Sequence, residues 1–168
     1  MQETPQQYRD RLAGYMQGQT PEKVRTSTPK KIERLITGKS QARLAKRPAP
    51  EKWSVVEILA HLADTELVMG YRIRTVAGAP GAAIQGFDQD AWAREMNYAK
   101  RPAKKSLAAF RALRENNLEL LKSLRREQWD HFGMHSERGK ETISLITQMM
   151  AGHDLNHILQ IEAILKPR

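Results

Sequence analysis

Apolar positions recur at helical spacing over three long stretches and one broken one, and no segment alternates convincingly with the period of two that marks a strand. Residues 5–17 form a first amphipathic piece, with Tyr8, Leu12, Tyr15 and Met16 on one side. A second, residues 29–37, carries Ile32, Leu35 and Ile36, and Pro48 and Pro50 then close a turn. The next helix has a clear start. Ser54 and Glu57 make a capping box, and Trp53 and Ile58 occupy the two positions of a hydrophobic staple around it. Its apolar face runs through Val55, Ile58, Leu59, Leu62, Met69, Ile73 and Val76, and Gly78-Ala79-Pro80 should end it.

Residues 81–101 read as a long irregular connection with one short turn around Asp88–Glu95; a loop of this length in a compact domain is often functional. Pro102 suits the first turn of another long helix, whose face is Leu107, Phe110, Leu113, Leu121 and Leu124. Gly133 and Gly139 bracket a second connection. The last helix should run from about Thr142 to Leu165, with Ile143, Ile146, Met150, Ile161 and Ile164 inward and Pro167 as its stop. The fold class is therefore all-α, a four-helix bundle, and such bundles build metal sites from side chains on facing helices.

At 168 residues the chain fits one domain spanning 1–168. It has no cysteine, which excludes disulfides, thiolate ligands and a protein-borne thiol nucleophile. The polar start of the chain and the lack of a long apolar run predict a soluble, cytoplasmic protein without a membrane partner. The net charge of +9 raises nucleic acid as a partner, but its distribution argues otherwise. Residues 1–50 carry +7, residues 51–100 carry −2, residues 101–150 carry +4, and the last 18 are neutral. No basic run with interleaved aromatics suggests base stacking, so a solvated basic surface is the expectation and nucleic acid is not.

The candidate chemistry lies in His153-Asp154-Leu155-Asn156-His157. Two histidines four apart on a helix share a face, with Cβ atoms about 5–6 Å apart. Both fall within about 50° of the apolar centre of the last helix. One inward histidine is ordinarily a hydrogen-bonded core residue; His61 changes that reading. It sits at the flank of the inward face of the other well-defined long helix, which can bring it to the pair. Three imidazoles with open positions make a catalytic-type site, not a closed structural one. Zinc is the expected ion, with nickel, iron, copper or manganese as alternatives. His131 and His135 are also four apart, but Gly133 lies between them in a loop-like stretch, so they need not share a face.

The blocks WSVVEILAHLADTE and GHDLNHILQIEAIL, together with RPAPEKW, FDQDAWA and HSERGKETI, resemble the DinB-like superfamily of bacterial four-helix bundles, over most of the chain from about residue 20. The resemblance implies an up-down-down-up topology, frequent homodimers, and a divalent metal bound by the histidines at positions matching His61, His153 and His157. Members of known activity include thiol-S-transferases that use bacillithiol or mycothiol and a mycothiol-dependent maleylpyruvate isomerase; many have no known reaction. The family name reflects DNA-damage induction and implies no DNA chemistry.

The expected function is thus a metal-dependent transferase or hydrolase acting on a small-molecule substrate. Without cysteine, any sulfur nucleophile must come from a low-molecular-weight thiol cofactor. Such thiols carry carboxylates, which Arg72, Arg74 and Arg138 are placed to clamp. No catalytic base is assigned; Glu66, Asp154, Gln160 and Glu57 are candidates to orient a ligand histidine, and Glu66 could instead pair with a buried arginine. The alternatives are a non-catalytic bundle with a structural metal and, behind it, a basic nucleic-acid-associated module.

Overall fold

The computed structural model describes residues 4–166. The expected stop at Pro167 lies outside them. Helices α1 (Pro5–Tyr15), α2 (Pro21–Ile36), α3 (Gln41–Ala45), α4 (Val55–Gly78), α5 (Gln89–Glu95), α6 (Ala103–Ser123) and α7 (Ile143–Leu165) account for most of the chain. The bundle proper is α2, α4, α6 and α7. Each packs on two neighbours, in the cyclic order α2, α7, α4, α6.

Side-chain pairings fix the directions. Ala103, Leu107 and Phe110 of α6 pack with Val55, Leu59 and Leu62 at the start of α4, while Leu121 packs with Ile73 and Val76 at its end. Helices α4 and α6 are therefore parallel. Ile158 and Ile161 of α7 join the first cluster and Ile143 and Ile146 the second, so α7 runs opposite to α4. Ile32 and Ile36, at the C-terminal end of α2, meet the start of α4, so α2 is also antiparallel to it. The topology is up-down-down-up. Two parallel neighbours in succession explain the long connection 79–102. The chain must travel back along the whole of α4, about 36 Å for its 24 residues, before α6 can begin.

The start of α4 follows its sequence. The Ser54 hydroxyl accepts from the Glu57 N–H at 3.3 Å, and the Glu57 carboxylate accepts from the Ser54 N–H at 2.8 Å. Ile58 is buried, and Trp53 packs partly buried on the same cluster. Burying Ile58, Leu59 and Leu62 contributes roughly 1.5–3 kcal/mol for each side chain.

Two expectations need correction. Helix α2 starts at Pro21, not at residue 29, and Pro29 lies inside it. A proline at 29 has no N–H for the carbonyl of Arg25, one helical turn back. The structure supplies a substitute: Arg114 Nη1 donates to that oxygen at 2.8 Å. Second, the fold is not purely helical. Ala83–Ile84 (β1), Phe132–His135 (β2) and Gly139–Thr142 (β3) form a small sheet in the order β1-β2-β3, with β1 parallel and β3 antiparallel to β2. Residues 136–138 close the hairpin, and Gly139 directly after them takes the left-handed conformation (φ +73°), which glycine adopts without a Cβ clash. A smaller difference occurs at Pro102, which occupies the N-cap just outside α6, whereas the short turn expected around Asp88–Glu95 is present as α5, capped by Asp88.

Candidate metal centre

The bundle core is apolar at both ends and polar in the middle. Between the two apolar clusters lie His61, Glu66, Arg25, Arg114, Asn117, Asp154 and His157, all buried. Within this layer Glu66 accepts from Arg25 and Arg114, each at 2.9 Å, and Asp154 takes both ends of the Arg114 guanidinium at 2.7 and 2.9 Å. Asn117 Nδ2 donates to the Glu66 carboxylate at 3.0 Å. Burial alone would raise the Glu66 pKa, but the guanidiniums of Arg114 and Arg25 hold it below the ordinary range. Glu66 therefore pairs with buried arginines and not with a histidine. Asp154 does the same, and Glu57 is occupied by Ser54 and Arg47. Arg25 and Arg114 carried no sequence signal for this role beyond their place in helical segments.

His61 on α4 meets His153 and His157 on α7. His153 Nε2 lies 2.9 Å from His61 Nε2 and 3.1 Å from His157 Nε2. Among the described residues these three form the one group of three or more histidines and carboxylates with ligand atoms within 4.8 Å of one another. His157 Nδ1 is 2.8 Å from Gln160 Oε1, an acceptor, so Nδ1 carries the proton and Nε2 presents its lone pair inward. Of the four residues considered for orienting a histidine, Gln160 alone does so. The tilted Trp53 ring packs on His61 at a centroid distance of 4.9 Å.

The donor set fits a divalent ion. Three ring nitrogens converge, and with Gln160 holding the His157 proton on Nδ1, the Nε2 lone pair of that ring faces the other two. Nitrogens bound to a tetrahedral zinc at about 2.0–2.1 Å stand roughly 3.3 Å apart, close to the observed spacing. Burial pushes His153 down to about 4, with Arg114 adding to the effect. Burial, and then the neighbouring rings, puts His61 and His157 well below their ordinary value. All three are thus neutral and ready to ligate at neutral pH.

Two cavities open on the triad. One, of about 200 Å³, is lined by His61, His153, Met69, Arg72, Phe87 and Arg138, among others. The other, of about 580 Å³, reaches His153, His157, Trp53, Gln160 and Arg11. Tyr8 and Gln89 line both, which gives α1 and the start of α5 places at the site. Helix α1 reaches α7 because residue 152 is glycine: a Cβ there would stand 2.5 Å from the Leu12 carbonyl oxygen.

The three arginines expected at the site separate. Arg72 and Arg138 line the smaller cavity, whereas Arg74 is held by Gly70, Asn116 and Asn117 and lines neither. His131 and His135 do not converge: His131 Nδ1 faces the Ala77 carbonyl at 3.2 Å, while His135 Nδ1 accepts from the Glu137 N–H.

The parallel pair α4 and α6 and three histidines brought together from α4 and α7 characterise this four-helix bundle. The chain belongs to the DinB superfamily, whose family model matches residues 9–161. Its fold is that of YfiT from Bacillus subtilis, described as a proposed metal-dependent hydrolase with an unusual four-helix bundle topology; the TM-score is 0.76 at 18% identity, covering 95% of this chain and 88% of that one. A protein of Oceanobacillus iheyensis, named as a proposed metal-dependent hydrolase, is 22% identical over 80% of this chain and 78% of its own. One of Halalkalibacterium halodurans, named likewise, is 21% identical over 83% and 81%. No described helix is long and apolar enough to cross a membrane.

Proposed function

We propose that the chain is a metal-dependent hydrolase of a small molecule, with His61, His153 and His157 as ligands of one divalent ion, zinc foremost. The observation that carries this reading is the convergence of three Nε2 atoms, one held in its ligating tautomer by Gln160. An ion held this way supplies Lewis acidity and activates water at neutral pH. The protein's own contribution is geometric and electrostatic. Helices α4 and α7 fix the rings, desolvation keeps them unprotonated, and the tilted Trp53 ring packs against His61. Both cavities reach His153, one together with His61 and the other together with His157. The names of the relatives support hydrolysis over S-transfer with a borrowed thiol.

The test is turnover of a panel of small carboxylic esters and amides by the zinc-loaded protein. Hydrolysis that stops on chelation, returns with zinc and is absent from His157→Ala supports the reading. Turnover unchanged by chelation contradicts it, and so does S-transfer without any hydrolysis.

A further inference from the structure

Arg72 is 3% exposed, and no carboxylate among the described residues forms an ion pair with it. A buried charge is costly unless it is paired. The other two fully buried arginines, Arg25 and Arg114, both have carboxylate partners. Arg138 beside it is engaged by Glu141 at 2.6 and 3.1 Å. Among the described residues Arg72 donates to the backbone carbonyl of Gln85 and to the Met69 sulfur at 3.6 Å and lies 6.0 Å from the Phe87 ring centroid, while Glu141 and Glu137 act on it only beyond ion-pair distance. Burial, with Arg138 adding its charge, lowers its pKa to about 10, which still leaves it cationic at neutral pH.

Its position gives the unpaired charge a purpose. Arg72 lines the same small cavity as His61 and His153, and the lining they share includes the apolar side chains of Met69, Ile146 and Met150 beside the hydroxyl-bearing Thr65. The two carboxylates on this cavity offset the cost of burying Arg72 only in part: Glu141 is paired with Arg138, and Glu137 is exposed. Behind the wall at Gly86 stands His135. Its Cε1 lies 3.6 Å from the space a Gly86 Cβ would fill, and its Nε2 is buried without a partner. Because His135 Nδ1 is an acceptor, its unpartnered Nε2 is a donor.

We infer that this cavity takes a substrate with a short apolar body and a terminal anionic oxygen group, carboxylate or phosphate, that Arg72 binds while the body reaches toward the histidine triad. The guanidinium fork matches the geometry of either anion. The inference rests on the reading of the triad as the reactive centre, but the anion site is testable without it.

Calorimetric titration with succinate, inorganic phosphate and uncharged succinamide, on the purified protein and after chelation, tests the anion site. Succinate or phosphate should bind in both preparations and succinamide in neither; which anion binds identifies the group. Arg72→Met should weaken that binding roughly tenfold or more, and Arg72→Lys should restore part of it. Arg72→Met should also melt no lower than wild type, because it removes an unpaired buried charge and the exposed Gln85 can turn its carbonyl to water. Its metal content should match wild type, which separates failure at this site from failure of the metal centre. Anion binding undiminished in Arg72→Met, or no binding of either anion to the wild type, overturns the inference.

Discussion

Gln160 Oε1 accepts the Nδ1 proton of His157 across 2.8 Å, and this contact sets which nitrogen of His157 faces the other two rings. Partners of this kind typically change metal affinity 10–100-fold when removed. Gln160→Leu should therefore bind zinc more weakly by about that factor, with helix content unchanged. Competition with a chelator of known affinity measures it.

Gly152 admits α1 to the face of α7 one residue before His153. Gly152→Ala places a Cβ 2.5 Å from a backbone oxygen of α1, which no side-chain rotation relieves. The expected cost is about 1–3 kcal/mol, as for other overpacked cores, read by urea unfolding. Gly78→Ala, which meets nothing within 4 Å, is the control and should stay close to wild type.

Arg114 ties three elements together through Asp154, Glu66 and the Arg25 carbonyl. Arg114→Leu leaves buried carboxylates without their main partner and should cost about 3–5 kcal/mol. Adding Asp154→Leu should recover part of that loss, because the charge left stranded is removed as well. A double-mutant cycle on unfolding free energies gives the coupling.

The three histidines also fix a pH dependence for the metal-free protein. The folded-state pKa of His153 is about 4 against an ordinary 6.5, so the unfolded chain binds more protons between these values. Stability is then full above pH 6.5 and declines as pH falls toward 4. For His153 alone the loss is on the order of 3 kcal/mol, and the lowered His61 and His157 act in the same direction. Unfolding of chelated protein across this range should show the slope, and a variant with all three histidines replaced by alanine should flatten it.

Much of this was legible in the chain. The capping box at Ser54 and Glu57 set the phase of α4 and so turned His61 inward, and the four-residue spacing put His153 and His157 on one face. Other parts depend on contacts distant in sequence. Pro29 reads as a helix break because its compensation, Arg114, lies 85 residues away. Strand β1 has two residues and β2 and β3 four each, too short for alternation to register. Pairing of Glu66 with a buried arginine is open from the sequence, but nothing local identifies Arg25 as its partner. The unpaired state of Arg72 follows from which carboxylates the fold brings near it, which no spacing rule encodes.

The central claim is that one divalent ion sits among His61, His153 and His157. Anomalous diffraction at the zinc edge, on untagged protein loaded with zinc, tests it most directly. The account predicts a single peak about 2.0–2.1 Å from the Nε2 atoms of all three residues, absent from crystals of His61→Ala/His157→Ala. A peak held by other side chains, or no peak at the triad, contradicts it.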